Sequence, residues 1–155
     1  MCVPLLAGTA LLDGRRVYYA SAGEGSRTIV LIHGWTCDHT FWDAQVAALK
    51  GRYRVLAVDL PGHGRSDPAP EYSMRRFARA VNAVLEREGA GRAILAGHSM
   101  GGAVGLAVAL GDPGCVAALV LIASAAQLPA SATLLARLER DFEGALELIA
   151  RTAWA

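Results

Sequence analysis

The chain has 155 residues, of which 54% are hydrophobic, and its formal net charge is +1 at pH 7. This length and apolar content suit one domain with a substantial core and are too small for two domains of ordinary size. The near-neutral charge provides no basic stripe for nucleic acid, and no apolar run approaches the length of a membrane span. We therefore expect a soluble protein that binds neither nucleic acid nor membrane.

The cysteines indicate the cellular compartment. Cys2, Cys37 and Cys115 are odd in number and share no metal-ligand spacing, which argues against a disulfide framework and favours a reducing compartment. The N-terminal residues lack the basic start and the long apolar run of an export signal. The sequence therefore predicts a cytoplasmic location.

The first part of the chain predicts a hairpin followed by a β-α-β unit. Asp13 and Gly14 form a dipeptide suited to the positive φ angles of a tight turn between two strands. The run from 28 to 32 is fully apolar after its first residue and too short for a helix, which is typical of a central strand. The predicted elements are strands over 9–12, 15–20, 28–32 and 54–60 and a helix over 40–50.

The next part repeats the alternation of strand and helix. Ser73 is predicted to cap a helix that ends at Gly89, and helical spacing beyond Gln127 predicts a helical insertion with Ser131 and Asp141 as possible N-caps. Between them the pattern predicts a strand over 92–96, a helix over 100–110 and another buried strand over 116–123. This order predicts an α/β fold with a mostly parallel sheet and helices on both faces.

One serine stands at the junction of a predicted strand and helix. Gly97, His98, Ser99, Met100 and Gly101 form a G-x-S-x-G segment, the pattern of a nucleophile elbow. The turn strains the serine backbone and crowds the residues two before and two after it, so only very small side chains fit there. We predict that Ser99 is a catalytic nucleophile and that Gly97 and Gly101 shape its turn.

An acyl-transfer site also needs two donors directed at the developing oxyanion. One is expected to be the backbone N–H of Met100, the residue after the nucleophile. The second is expected from the loop after the strand over 28–32, where Gly34 lets the chain turn close to the site. We assign this second donor to the Trp35 N–H.

Three segments together resemble successive signatures of the α/β-hydrolase superfamily. They are residues 31–35, 59–67 and 97–102, and they come in the family's order and spacing. The resemblance covers about residues 8–127 and implies an incomplete α/β-hydrolase fold, with residues 1–127 as the N-terminal part of the core. Residues 128–155 resemble the beginning of a helical lid, truncated, as found in esterases of this family.

The resemblance further implies a triad of serine, acid and histidine in that chain order. His33, His39, His63 and His98 all precede Ser99, so none matches the position of the base, and no acid follows the strand over 116–123, where Ser124 stands instead. We expect His33 to orient the oxyanion loop, His63 to belong to the loop over 61–67, and His98 to lie inside the elbow. His39 is expected at the pocket rim or on the surface.

A metal site is the main alternative use of these side chains. The candidates His33, Asp38, His39, Asp59 and His63 fit no zinc spacing that we can justify physically. The sequence therefore predicts neither a metal nor a cofactor.

Three functions are compatible with the sequence. The first is a serine hydrolase of small-molecule carboxylic esters or related acyl compounds, acting through an acyl-enzyme on Ser99, with the triad acid and histidine absent from this chain. Thioesters, lactones and carbon-carbon bonds remain open as substrates. The second is a catalytically inert N-terminal fragment or truncated gene product, and the third is a non-catalytic ligand-binding protein. The sequence does not specify an oligomeric state.

Overall fold

The N-terminal part of the molecule is an antiparallel hairpin. The structure is a computed structural model that describes residues 5–125 and, beyond them, residues 136, 137, 139–141, 143–145, 147 and 151. Strands β1 (Leu6–Leu12) and β2 (Arg15–Ala22) pair with Leu12 opposite Arg15. Asp13 and Gly14 at the turn have φ angles of 51° and 76°, so the predicted turn is confirmed.

The described residues form a six-stranded mixed sheet in the order β1-β2-β4-β3-β5-β6. The strands β3 to β6 are mutually parallel, and β2 joins them antiparallel through β4. The remaining elements are β3 (Thr28–Ile32), a 3₁₀ turn (His39–Trp42), α1 (Asp43–Leu49), β4 (Arg54–Val58), α2 (Met74–Arg87), β5 (Ala93–His98), α3 (Met100–Gly111), a second 3₁₀ turn (Pro113–Cys115) and β6 (Val116–Ile122).

Helices cover both faces of this sheet. Side chains of β3 alternate between the two faces: Ile29 and Leu31 join the cluster that contains Val46 of α1, whereas Val30 and Ile32 join the cluster formed with α2 and α3. Ser73 accepts a hydrogen bond from the Arg76 N–H at 3.2 Å and so caps α2 as predicted. The predicted mostly parallel sheet with helices on both faces is confirmed.

The expectation of a buried sixth strand is wrong. Val120, Leu121 and Ile122 of β6 are 45%, 42% and 41% exposed. Among the described residues β6 pairs with β5 alone, so one edge of the strand and much of its surface remain uncovered. Apolar composition alone predicted burial here, whereas burial depends on which elements pack beside the strand.

Most of residues 126–155, for which the sequence predicts the beginning of a helical lid, lie outside the described residues. Ser131, the first possible N-cap, is among those outside. Asp141 is described, and its Oδ1 accepts a hydrogen bond from the Gly144 N–H at 2.9 Å, as expected of a helix N-cap. No helix within the described part of the chain is long and apolar enough to cross a membrane.

Candidate active site

The centre of the candidate site is Ser99, which joins β5 to α3. Its backbone has φ 51° and ψ −119°, and α3 begins at the next residue, Met100. A non-glycine residue in such a conformation stores about 1–3 kcal/mol, and the surrounding structure must hold it in place. The Ser99 side chain does not cap α3. The hydroxyl therefore stands at the N-terminus of a 12-residue helix, where the helix dipole favours negative charge.

Two glycines permit the sharp turn at Ser99. A Cβ on Gly97 would lie 2.5 Å from the Gly102 nitrogen, and a Cβ on Gly101 would lie 2.6 Å from the His33 carbonyl oxygen. Both contacts are with backbone atoms, which cannot move aside as a side chain can. Neither position therefore has room for a side chain.

The loop after β3 lies directly against the turn. A Cβ on Gly34 would lie 2.9 Å from His98 Nδ1 and 3.3 Å from Ser99 Cβ. Trp35 follows, 47% exposed, and Thr36 has a φ of 63°. Among the described residues, the Trp35 N–H has no hydrogen-bond acceptor. The loop thus brings a backbone N–H without an acceptor in the described part of the chain to the neighbourhood of Ser99.

His33 holds this loop through both nitrogens of its buried ring. Its Nε2 accepts a hydrogen bond from the Leu60 N–H at 3.0 Å, so the ring proton belongs on Nδ1, which donates to the Gly34 carbonyl at 2.7 Å. Burial lowers the pKa of His33 below its usual value, and the bond to Gly34 opposes this more weakly. The neutral ring thereby ties the loop after β3 to the segment after β4.

Asp59 provides a second tie between the same loops. Its Oδ1 accepts hydrogen bonds from the His39 N–H at 2.7 Å and from His39 Nδ1 at 2.9 Å, and its Oδ2 accepts from the Arg65 N–H at 2.8 Å. Asp59 is fully buried and His39 is 7% exposed, with the Tyr18 ring beside it. The expectation of His39 at the rim or surface is therefore wrong, because the Asp59 carboxylate compensates for its burial.

Among the described residues, Asp38, His39 and Asp59 are those whose side chains could hold a metal ion, because one possible ligand atom of each lies within 4.8 Å of the others. Their oxygens already serve the loops, however, because Asp38 Oδ1 accepts from the Thr40 N–H at 2.8 Å and from the Thr40 hydroxyl at 2.6 Å. The bond from the Thr40 hydroxyl holds the pKa of Asp38 below its usual value. Hydrogen bonding within the loops accounts for this cluster without a metal ion.

None of the four histidines forms a hydrogen bond with the Ser99 hydroxyl among the described residues, and His98 Nδ1 is buried without a partner there. His63 Nδ1 lies 3.1 Å from the Pro61 carbonyl, and the His98 ring stacks on Phe41 with centroids 4.8 Å apart. Burial also raises the pKa of the Cys37 thiol, which keeps this thiol protonated. Within the part of the chain that the structure describes, Ser99 has no partner that accepts its proton.

The comparison with known families agrees with this geometry. The family model described as "Alpha/beta hydrolase family" matches residues 29–155, which is most of the chain. The chain belongs to the alpha/beta hydrolase family.

Individual relatives of this alpha/beta hydrolase carry several activities. Over 109 residues, 70% of the chain, it is 44% identical to a dihydrolipoyllysine-residue acetyltransferase component of an acetoin cleaving system from Pseudomonas putida. Over 109 residues, again 70% of the chain, it is 34% identical to a pimeloyl-acyl-carrier-protein methyl ester esterase from Proteus mirabilis. The chain spans 30% and 41% of the length of these two relatives.

A solved structure has a similar fold. Est816, described as an N-acyl homoserine lactone degrading enzyme, superposes with a TM-score of 0.82 and is 31% identical. The match covers 90% of this alpha/beta hydrolase and 54% of Est816. The chain therefore spans about half the length of that structure.

Hydrogen bonds that the sequence does not predict hold the Ser99 backbone from the side of β6. The Ser99 N–H donates to the Ile122 carbonyl at 2.9 Å, and the Ser99 carbonyl accepts from the Ser124 hydroxyl at 2.7 Å and from the Gly102 N–H at 3.0 Å. Two of these three bonds involve Ile122, the last residue of β6, and Ser124, which follows the strand. The sequence carries no signal for them beyond the presence of a serine after a predicted strand.

Proposed function

We propose that this chain supplies the nucleophile and the oxyanion donors of a serine hydrolase that cleaves carboxylic esters or related acyl compounds. The observation that carries the proposal is the conformation of Ser99, with φ 51° at the start of α3 and its Cβ within reach of the loop at Gly34. A strained serine at this position exposes its hydroxyl, and the helix dipole favours the charge that develops there.

In the proposed reaction, Ser99 Oγ attacks the acyl carbon while its proton passes to a base. The carbonyl electron pair moves to the oxygen, where the Trp35 and Met100 N–H groups would stabilise the oxyanion. Met100 is the first residue of α3, and the first N–H groups of a helix have no partner within it. The tetrahedral intermediate then expels the alcohol, which takes the proton from the base. Water, giving its own proton to the base, attacks the acyl-enzyme and releases the acid, and the proton returns to Ser99 Oγ.

The base and its acid are proposed to come from polypeptide outside these 155 residues. The support for this is that His33, His39 and His63 bind other groups, and that His98, whose ring stacks on Phe41, forms no hydrogen bond with Ser99 among the described residues. In the same proposal, residues 1–127 form the N-terminal part of the catalytic core and residues 128–155 begin a lid over it.

The relatives support acyl chemistry as the substrate class. A methyl ester esterase, a lactone-degrading enzyme and an acetyltransferase component are among the proteins that the chain resembles. An ester and a lactone share a carbonyl carbon bonded to a leaving oxygen. We therefore propose a small-molecule ester or lactone in preference to a carbon-carbon bond.

A fluorophosphonate probe tests the nucleophile directly. In the full gene product, we expect the probe to label Ser99 and to label nothing when Ser99 is replaced by alanine. As a matched control, Ser26→Ala removes an exposed serine hydroxyl in the loop between β2 and β3 and should label normally. Labelling that survives Ser99→Ala, or no labelling of the full gene product, contradicts the proposal.

The 155-residue chain by itself tests the second candidate, an inert fragment. The observation that favours this candidate is the lack of a proton acceptor for Ser99 among the described residues. Loss of the histidine from a serine triad costs on the order of 10⁶ in kcat, so the chain alone should not hydrolyse p-nitrophenyl butyrate. Hydrolysis at ordinary enzyme rates would require a base among the four histidines.

A further inference from the structure

One peptide group connects the nucleophile to the proposed oxyanion donor. The Ser99 carbonyl and the Met100 N–H belong to the same planar peptide, so the direction of one determines the direction of the other. In a trans peptide the two groups point to opposite sides. Whatever holds the Ser99 carbonyl therefore also aims the Met100 N–H.

We infer that Ser124 is a positioning residue for the oxyanion site, because its hydroxyl holds the Ser99 carbonyl and thereby orients the Met100 N–H. The Ser124 hydroxyl donates to this carbonyl at 2.7 Å, the shortest bond to the Ser99 backbone. The inference rests on the proposed function and adds a residue that acts through Met100 without touching the substrate.

The peptide needs this support because Ser99 is strained. With φ at 51°, Ser99 lies in a region that residues with a side chain rarely adopt, so neighbouring groups must hold it. The Gly102 N–H also donates to the Ser99 carbonyl, but it belongs to the first turn of the same helix and moves with it. Ser124 instead belongs to the segment after β6 and holds the peptide from a separate element.

The chain is arranged to bring Ser124 to this position. β6 runs beside β5 with Ile122 opposite His98, and the Ile122 carbonyl accepts the Ser99 N–H at 2.9 Å. Ala123 then has a φ of 45°, which turns the chain towards α3. At the contact, a Cβ on Gly102 would lie 2.5 Å from Ser124 Cβ, so glycine is what leaves room for the serine.

Loss of the Ser124 hydroxyl should weaken stabilisation of the transition state more than it weakens binding of the substrate. An oxyanion donor interacts more strongly with the tetrahedral intermediate than with the substrate, so its misorientation lowers kcat and leaves KM nearly unchanged. Removing an oxyanion donor outright costs about 10²–10³ in kcat, and Gly102 still holds the carbonyl, so we expect about a tenfold loss for Ser124→Ala. Ser124→Thr keeps the hydroxyl and should restore most of the rate.

The experiment measures kcat and KM of the full gene product on a p-nitrophenyl ester and on the matching thionoester. A thiolate accepts hydrogen bonds more weakly than an oxyanion, so Ser124→Ala should lose less rate on the thionoester than on the ester. Ser26→Ala serves as the control for removal of an exposed serine hydroxyl. Melting temperatures of all variants separate loss of fold from loss of orientation.

The outcomes distinguish this inference from the function on which it rests. If Ser99→Ala stays active, or the unmodified protein hydrolyses neither substrate, both proposals fail. If Ser99→Ala is inactive while Ser124→Ala keeps full kcat or loses equal rate on both substrates, only the role of Ser124 fails. Should Ser124→Thr melt at a lower temperature than the unmodified protein, the comparison of ester with thionoester in Ser124→Ala decides alone.

Discussion

The His33 ring accepts the Leu60 N–H on Nε2 at 3.0 Å and so joins the loop after β3 to the segment after β4. A protonated ring could not accept this bond, since both of its nitrogens would then be donors. The relationship makes the arrangement of the two loops depend on a neutral histidine.

The stability of the protein is predicted to depend on pH through His33. Because burial lowers the folded pKa of His33 below its ordinary value of 6.5, the unfolded chain binds the proton more readily, and the free energy of unfolding falls as pH drops below 6.5. Between pH 7.5 and pH 5.5 we expect His33 to account for a loss of about 1 kcal/mol. Urea unfolding at both pH values should show a smaller loss in His33→Gln, which keeps an acceptor but does not titrate. Identical losses would contradict this role of His33.

The second prediction concerns Asp59, which receives three hydrogen bonds in a fully buried position. Asp59→Asn replaces one carboxylate oxygen by an NH2 group and removes the charge, so at least one donor loses its acceptor and the free energy of unfolding should fall by about 3 kcal/mol. Asp67→Asn is the matched control, since Asp67 pairs with the exposed Arg16 side chain and should lose measurably less. Chemical denaturation of both variants compares them, and equal losses would rule out a special role for Asp59.

The third prediction uses two glycines of the same helix. A Cβ on Gly101 would meet backbone atoms of Ile32 and His33, whereas a Cβ on Gly111 has no neighbour within 4 Å. Gly101→Ala should therefore destabilise the protein by about 3 kcal/mol, and Gly111→Ala should change its stability by less than about 1 kcal/mol. Thermal melting of the two variants measures the difference. A well-folded Gly101→Ala of normal stability would show that the turn is looser than the distances indicate.

The fourth prediction separates strain from chemistry at Ser99. Both Ser99→Ala and Ser99→Gly remove the hydroxyl, but only glycine adopts a φ of 51° without steric cost. We expect Ser99→Gly to be more stable than Ser99→Ala by about 1 kcal/mol, after allowance for the greater freedom of glycine in the unfolded chain. Calorimetry provides the comparison. A less stable Ser99→Gly would mean that the turn stores little strain.

Local patterns predicted most of the fold. The bounds of β3, the turn at Asp13 and the cap at Ser73 depend on neighbours in sequence, and the structure confirms all three. The strand over 116–123 has the same apolar texture as β3, yet its exposure depends on what packs beside it. Periodicity contains no information on that point.

In the candidate site, too, local features could be predicted from the sequence and long-range contacts could not. The strand, turn and helix around Ser99 follow from a contiguous motif, and the structure contains them. The bonds from Asp59 to His39 and from Ser124 to Ser99 join residues 20 and 25 positions apart. Such pairings depend on the register of the sheet and on the paths of the loops, and local sequence patterns do not reveal either.

The contacts of the glycines also determine which destabilising substitutions can be rescued by a second substitution elsewhere. A Cβ on Gly8 would strike the ring of Tyr19, a side chain that a smaller residue can replace. A Cβ on Gly101 would strike the carbonyl groups of Ile32 and His33, which every amino acid carries. A search for suppressors should therefore recover Gly8→Ala through changes at Tyr19 and should find none for Gly101→Ala among side chains. Compensatory substitutions can therefore arise in the hairpin, but side-chain changes cannot compensate for a larger residue in the turn next to Ser99.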